Sequence, residues 1–362
     1  MYAGFQGVKN LIINSIKLKN FRSYKDREFV FSPNTNVFYG NNAEGKTNIL
    51  ESIYVCALGK SFRTRKDTEL IYFGEEYGGV DLFFRDSSRD KSINFLVSDK
   101  NKKQIKINGV KQAKISNLFG NLLVVMFTPL DMFFAKGEPG ERRKSFDILI
   151  SQLNPKYMHF LQEYYKVLEQ RNQLLKNGEN KVNKMELNIW DEKLVELNFA
   201  IKKIREEYIK KIIPIFNKYH REISDNKEDV FLTYKTQVLE DKESTLKLLE
   251  DRCILDFKRG YTSIGIHRDD YIFEINGVNL GLFGSQGQIR TAILSLKLAE
   301  KDLILQEKGE MPVLLLDDVM SELDEKRRRF LYEKLNECQV FITCTDKIEG
   351  ENVKTFEIVK EK

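Results

Sequence analysis

Apolar and polar positions alternate along the first part of the chain, shift to a three-and-four spacing in the middle, and return to short apolar runs towards the end. Within residues 11–40 the stretches LIINSIKLKN, REFVF and NVFYG read as three strands, and residues 46–59 read as a helix. Ile93, Phe95 and Val97, then Ile105 and Ile107, alternate with polar residues, and Asn108-Gly109 supplies a hairpin turn. This pattern predicts an antiparallel β layer.

The middle has a helical rhythm. Tyr157, Phe160, Leu161, Tyr164, Tyr165, Leu168 and Leu175 recur on one face, and a turn follows at NGEN. Leu187, Trp190, Leu194, Leu197, Ile201, Ile204 and Tyr208 then form a short heptad seam. The two segments predict a short antiparallel helix pair, with Pro214 kinking or ending its second member. Residues 228–281 return to strand character, with a second Asn-Gly turn at Asn276-Gly277. The expected fold class is α/β, with the helical middle inserted into or appended to a core that the C-terminal end completes.

Composition narrows the class only a little. The chain has 362 residues, 41% hydrophobic and 31% charged, with a formal net charge of +5, as in a globular protein that tolerates a polyanionic partner. The longest apolar runs, LLVVMF at 122–127 and VLLL at 313–316, are far shorter than the roughly 20 residues of a bilayer-spanning helix. No membrane span is expected, and an N-terminus without a signal-peptide pattern points to the cytoplasm. Cys56, Cys253, Cys338 and Cys344 show no metal-ligand spacing and read as buried thiols.

The chemistry begins at VFYGNNAEGKTNILESIY, residues 37–54. Gly40 and Gly45-Lys46-Thr47 fit GxxxxGK[ST], a loop whose backbone N–H groups wrap nucleotide phosphates. A second motif, MPVLLLDDVMSELD, delivers Asp317 and Asp318 at the tip of a strand, where a carboxylate can hold Mg²⁺ opposite Thr47. Almost the whole chain separates Lys46 from Asp317, so the phosphate site closes by long-range folding, as in ABC-type ATPases of the chromosome-maintenance (SMC) kind. A third motif, GLFGSQGQIRTAILSLKLAE, puts Ser285, Gly287 and Gln288 at the start of an amphipathic helix. It reads either as a polar helix cap or as an anion site, and in ABC ATPases the signature there binds the γ-phosphate of the other subunit's ATP.

The ordered set resembles the RecF family of recombination mediator ATPases nearly end to end. It comprises LKNFRSY, GNNAEGKTNILE, GKSFRT at 59–64, FTPLDMFFAKGEPGERRKSFD at 127–147, GIHRDD at 265–270, GSQGQIRT at 284–291 and LLLDDVMSELDEKRR at 314–328. The resemblance implies an ABC-type P-loop ATPase head with an antiparallel β layer and a helical second lobe. Residues 1–127 and 288–362 would form the ATPase lobe and 128–287 the second lobe.

It further implies an ATP-binding set of Gly40, Asn41, Asn42, Gly45, Lys46, Thr47 and Asn48, with Thr47 and Asp317 on Mg²⁺. Lys46 and Asp318 are the candidate catalytic residues, Asp318 standing where many ABC enzymes have glutamate, which fits slow turnover. Ser285, Gly287 and Gln288 would act in trans, and Asp324 matches the D-loop, or else simply caps a helix. The implied activity is a slow, DNA-stimulated ATPase acting as a switch: an ATP-dependent homodimer clamps double-stranded DNA at gaps or junctions and helps load recombinase with RecR-type and RecO-type proteins. The family setting is DNA repair, recombination, replication and the SOS response.

Two departures stand out: Thr128-Pro129-Leu130-Asp131 replaces the usual Q-loop glutamine, and Thr345 stands near the position of the switch histidine. His267 reads as a structural hydrogen-bonding residue rather than a catalytic one. Lys60, Arg63 and Arg65 are candidate nucleotide or DNA contacts, while Arg142, Arg143 and Lys144 lean to a structural or dimer role. The alternatives are an ABC-type ATPase subunit, as in transporters, or an SMC-like tether not devoted to gap repair. The first calls for a standard signature, Q-loop glutamine and switch histidine, and the second for far longer arms.

Overall fold

The computed structural model describes residues 9–100, 102–178 and 184–360, so part of the expected turn at NGEN lies outside the described residues. The chain divides into two compact units, the first formed by 1–133, 219–226 and 290–362, the second by 134–218 and 227–289.

The first unit holds two large sheets. Six antiparallel strands run in the order Tyr24–Val30, Ile12–Phe21, Tyr77–Arg85, Asp90–Ser98, Lys103–Ile107 and Val110–Lys111. Ile93, Phe95 and Val97 are buried, and the expected turn sits at Asn108-Gly109, with φ of 50° and 78°. Five parallel strands form the other sheet in the order Val353–Glu357, Thr35–Tyr39, Val340–Cys344, Val313–Asp317 and Val124–Phe127. All five residues of Val313–Asp317 are buried, as expected of a central parallel strand covered on both faces.

The helix Lys46–Leu58 packs against strands of both sheets, with Ile49 to Leu58 buried without a break. This explains its mostly apolar sequence, in which even Glu51 and Ser52 are buried. Phe31 meets Phe341 edge to face at 4.8 Å, and Phe38 stacks on Phe356 at 5.1 Å, so aromatic side chains lock the edge of the parallel sheet.

The second unit packs helices Pro139–Leu153, Pro155–Asn177 and Lys242–Arg259, together with most of Lys184–Ser224, on a small sheet of Val230–Lys235, Asp270–Ile275 and Val278–Asn279. Asn154 caps Pro155–Asn177 by accepting the Lys156 and Tyr157 N–H groups. The heptad residues Leu187, Leu194, Leu197, Ile201 and Tyr208 are buried, as the spacing predicts.

Two expectations need correction. Of the two outcomes expected at Pro214, a kink or an end, the end does not occur, since the helix continues to Ser224. Both Pro214 and Lys210, whose carbonyl loses its usual donor, are exposed, and water can take up that carbonyl. Residues 228–281 are not wholly strand-like either: Lys242–Arg259 is a helix, capped by Asp241 on the Ser244 N–H and closed by Gly260 at φ 70°. Cys56, Cys338 and Cys344 are buried and Cys253 is half-buried, all four as free thiols. No helix among the described residues is long and apolar enough to cross a membrane.

Candidate functional site

The parallel sheet explains how distant motifs meet. Strand Thr35–Tyr39 leads into the glycine-rich loop, Val313–Asp317 ends at the two acids, and Val340–Cys344 lies between them. Parallel alignment brings the C-terminal ends of all three to one edge, where open α/β sheets place ligands.

There Thr47, in the first turn of the loop's helix, donates its hydroxyl to Asp317 Oδ1 at 2.7 Å. Burial holds the Asp317 carboxyl above the usual carboxylate range, although the Thr47 and Thr343 hydroxyls favour its charged form. Asp318 adopts a left-handed φ of 50°, rare for a residue with a side chain. Its N–H is held by the Thr343 carbonyl and hydroxyl oxygens, and its own carbonyl accepts Ser321 Oγ at 2.8 Å.

The loop itself has the backbone its motif requires. Gly40 and Gly45 have φ of 145° and 107°, and a Cβ on Gly45 would stand 2.6 Å from Ser23 Oγ. Lys46 Nζ donates to the Gly40 and Asn41 carbonyls at 2.6 and 2.7 Å. Asn41 and Asn42 are exposed, and the Asn41 N–H is donated to Glu44 Oε2 at 2.7 Å. These partners are half-buried or exposed and can be exchanged for phosphate oxygens.

Asn48 faces elsewhere: it donates to Ser23 Oγ at 2.9 Å and accepts Arg63 Nη1 at 2.8 Å. Arg63 also lies 3.5 Å from Glu51, which is fully buried and takes a two-pronged bond from Arg22 and the Ser61 hydroxyl. Glu51 therefore ties LKNFRSY and GKSFRT to the helix that follows the loop, a role the sequence reading missed. The signal was a carboxylate on an otherwise apolar helix, between two arginine-bearing motifs. Lys60 and Arg65 are exposed.

Ser285, Gly287 and Gln288 lie in the second unit. Ser285 Oγ accepts the Gln288 N–H at 3.2 Å while Gln288 Oε1 accepts the Ser285 N–H at 3.0 Å, a reciprocal cap on the helix Gln286–Lys308. Just before it Leu280 is buried while Leu282 and Phe283 are 75% and 74% exposed. Asp324 caps Glu325–Leu335 by accepting the Arg327 N–H at 2.9 Å, and also pairs with the Arg327 guanidinium.

Other candidates fall into structural places. Asp131 accepts the Thr128 N–H and hydroxyl at 2.7 and 2.8 Å and faces Lys297 at 3.4 Å. Thr345 donates to Asp346 at 3.2 Å. Arg142 grips Asp270 with two nitrogens, and Arg143 donates to the Asp269 carbonyl, both within the second unit. His267 accepts or donates at Tyr164 OH, 2.6 Å from Nδ1, and at the Thr262 carbonyl, 3.1 Å from Nε2. A carbonyl only accepts, so Nε2 carries the proton and Nδ1 takes the tyrosine hydrogen.

The family described as RecF/RecN/SMC N terminal domain matches residues 12–361. The DNA replication and repair protein RecF of Acetivibrio thermocellus is 47% identical over 351 residues, covering 94% of this chain and 95% of that protein. RecF of Clostridium botulinum (strain 657 / Type Ba4) is 43% identical, covering 92% and 93%. Among solved structures, the recombination mediator protein RecF with ATP, in the RecFOR pathway, superposes with a TM-score of 0.92 at 37% identity over 98% of both chains. The Smc head domain from Pyrococcus furiosus shares the fold, with a TM-score of 0.55 at 18% identity over 97% of this chain and 94% of that one.

Proposed function

This chain belongs to the RecF family of DNA replication and repair proteins, and on that premise we propose that it is an ATP-dependent DNA-binding switch of recombinational repair. Residues 1–127 and 288–362 serve as its ATPase lobe and 128–287 as its second lobe. The observation that carries this is the Thr47 to Asp317 bond of 2.7 Å, which joins two motifs 270 residues apart.

The residues fit ATP with Mg²⁺. Gly40 and Gly45 leave the loop backbone open, Lys46 offers an ammonium now held only by carbonyls, and Thr47 and Asp317 supply the oxygens a hard cation needs. Bound together, ATP and Mg²⁺ supply a phosphoryl group whose charge is neutralised for transfer to water. Lys46 orients the β- and γ-phosphates, with Asn41, Asn42 and Asn48 lining or bracing the loop. Asp318 accepts the proton of the attacking water, and its short side chain keeps turnover slow.

Two copies pair head to tail with ATP bound, each presenting Ser285, Gly287 and Gln288 to the other's nucleotide, and Asp324 crosses between them. The exposed Leu282 and Phe283 beside Ser285 support this reading, since an association surface presents apolar groups. The paired form clamps duplex DNA at gaps or junctions through basic side chains such as Lys60, Arg63 and Arg65. RecR-type and RecO-type partners then help it load recombinase, and hydrolysis releases the clamp.

The test is ATP hydrolysis by the purified protein with and without gapped duplex DNA. DNA should stimulate turnover, and Lys46→Ala should abolish both turnover and ATP-dependent pairing. Lys46-dependent turnover that ignores DNA would detach the ATPase from a DNA clamp.

A further inference from the structure

Thr343 lies on the strand between the P-loop strand and the two-acid strand, in register with Asp317 on one side and Phe38 on the other. It is 1% exposed. Its hydroxyl donates to Asp317 Oδ1 at 2.8 Å and accepts the Asp318 N–H at 2.9 Å. One side chain thus holds two consecutive acids, the second of them in a left-handed conformation.

We infer that Thr343 is a positioning residue of the nucleotide site, setting both which oxygen of Asp317 faces a cation and where the Asp318 carboxylate points. Asp317 Oδ1 takes hydrogens from both Thr47 and Thr343, which uses its two lone pairs and leaves Oδ2 as the oxygen with ligand capacity. If the Thr47 hydroxyl turns to a cation, the Thr343 bond still fixes the carboxylate. At Asp318 the hydroxyl and the Thr343 carbonyl share one N–H, at 2.9 and 3.2 Å. That shared grip helps hold a left-handed backbone turn, which costs an aspartate less than most residues but is not its default conformation.

A threonine serving the fold alone would need only one backbone partner, and its hydroxyl would be replaceable by a methyl group. Thr343 belongs to none of the three phosphate motifs, and only the register of the sheet places it against the acids. The inference rests on the ATP reading above.

The test compares Thr343→Val and Thr343→Ser with the parent, by equilibrium binding of a fluorescent ATP analogue in Mg²⁺ and in EDTA, and by steady-state hydrolysis. Valine keeps the shape and the backbone bond to Asp318. It should bind as the parent does in EDTA, lose about tenfold or more of the affinity gained from Mg²⁺, and lower kcat while KM for Mg-ATP rises in step with that lost affinity. Serine restores the hydroxyl and should restore both. The inference is overturned if folded Thr343→Val matches the parent in Mg²⁺ dependence and kcat, or if Ser fails as Val does, since then the methyl group matters. Should Val not fold, Thr343→Ala against Thr343→Ser makes the same comparison. A parent that binds no ATP analogue at all would instead sink the ATP reading itself.

Discussion

Charged side chains are used in two opposite ways in this molecule. In the second unit Arg205 and Arg171 are fully buried, and each holds two aspartates. Arg205 reaches Asp147 and Asp269 at 2.9 and 2.8 Å, and also Tyr157 OH and the Ile266 carbonyl at 2.8 Å. Nearly every donor of that guanidinium is spoken for by a group with nowhere else to go. At the P-loop, by contrast, Lys46 holds backbone carbonyls at the surface, Thr47 holds a carboxylate, and Asp318 sits in a strained backbone conformation. Buried, multiply bonded ion pairs mark architecture, and exchangeable partners beside stored strain mark a site.

The largest effect that sharpens this contrast is on stability. Arg205→Met leaves the fully buried Asp269, and the partly buried Asp147, without their cation and should cost about 3–5 kcal/mol in denaturant unfolding. Lys46→Ala should stay within about 0.5 kcal/mol of the parent while losing nucleotide binding. An Arg205 variant as stable as the parent would break the comparison at its root.

A smaller effect tests the same interior by pH. Burial, with Arg268 and Arg143 nearby, pushes the His267 pKa down from 6.5 to about 4, against the Thr262 bond that favours its charged form. The folded state therefore keeps His267 neutral while the unfolded chain takes up a proton below about pH 6.5. Its contribution to stability is full above that pH and is lost as pH falls towards 4. Unfolding measured between pH 7.5 and 4.5 should show a loss of about 1–3 kcal/mol that His267→Gln, which cannot titrate, reduces. An unchanged pH slope would assign the loss to other groups.

The contrast also explains what was legible in the sequence. Gly40, Gly45-Lys46-Thr47 and the Asp317-Asp318 strand tip could be read because phosphate chemistry fixes residue types at short spacings. The Asn108-Gly109 and Asn276-Gly277 turns were legible because left-handed backbone selects those residues. Arg205 with Asp269, Glu51 with Arg22, and Thr343 with Asp317 were not, since each pair is made by folding and leaves no local period. The helix Lys242–Arg259 was missed for a local reason: among its residues only Thr245, Leu249 and Asp256 are buried, too few to print a stripe between two strands. Its Asp241 and Gly260 caps were the available signal. Pro214 does not end its helix because a proline rule written for helix interiors weakens at an exposed position.

Asp324 is where the two uses of charge overlap, and it separates them at the smallest scale. As an N-cap its carboxylate accepts the Arg327 N–H at 2.9 Å, and that bond, with the Arg327 and Arg290 guanidinium charges nearby, lowers its pKa. A cap needs an acceptor oxygen but no charge, and asparagine serves as well as aspartate. Asp324→Ala should therefore cost about 1 kcal/mol in unfolding, while Asp324→Asn should cost a few tenths at most. ATP-dependent pairing, followed by light scattering, reads the other role. If Asp324 only caps its helix, Asn pairs as the parent does. If its charge is used between two copies, Asn keeps the melting temperature and loses pairing, and an exposed cap then belongs with Lys46 and Asp318 rather than with the buried pairs.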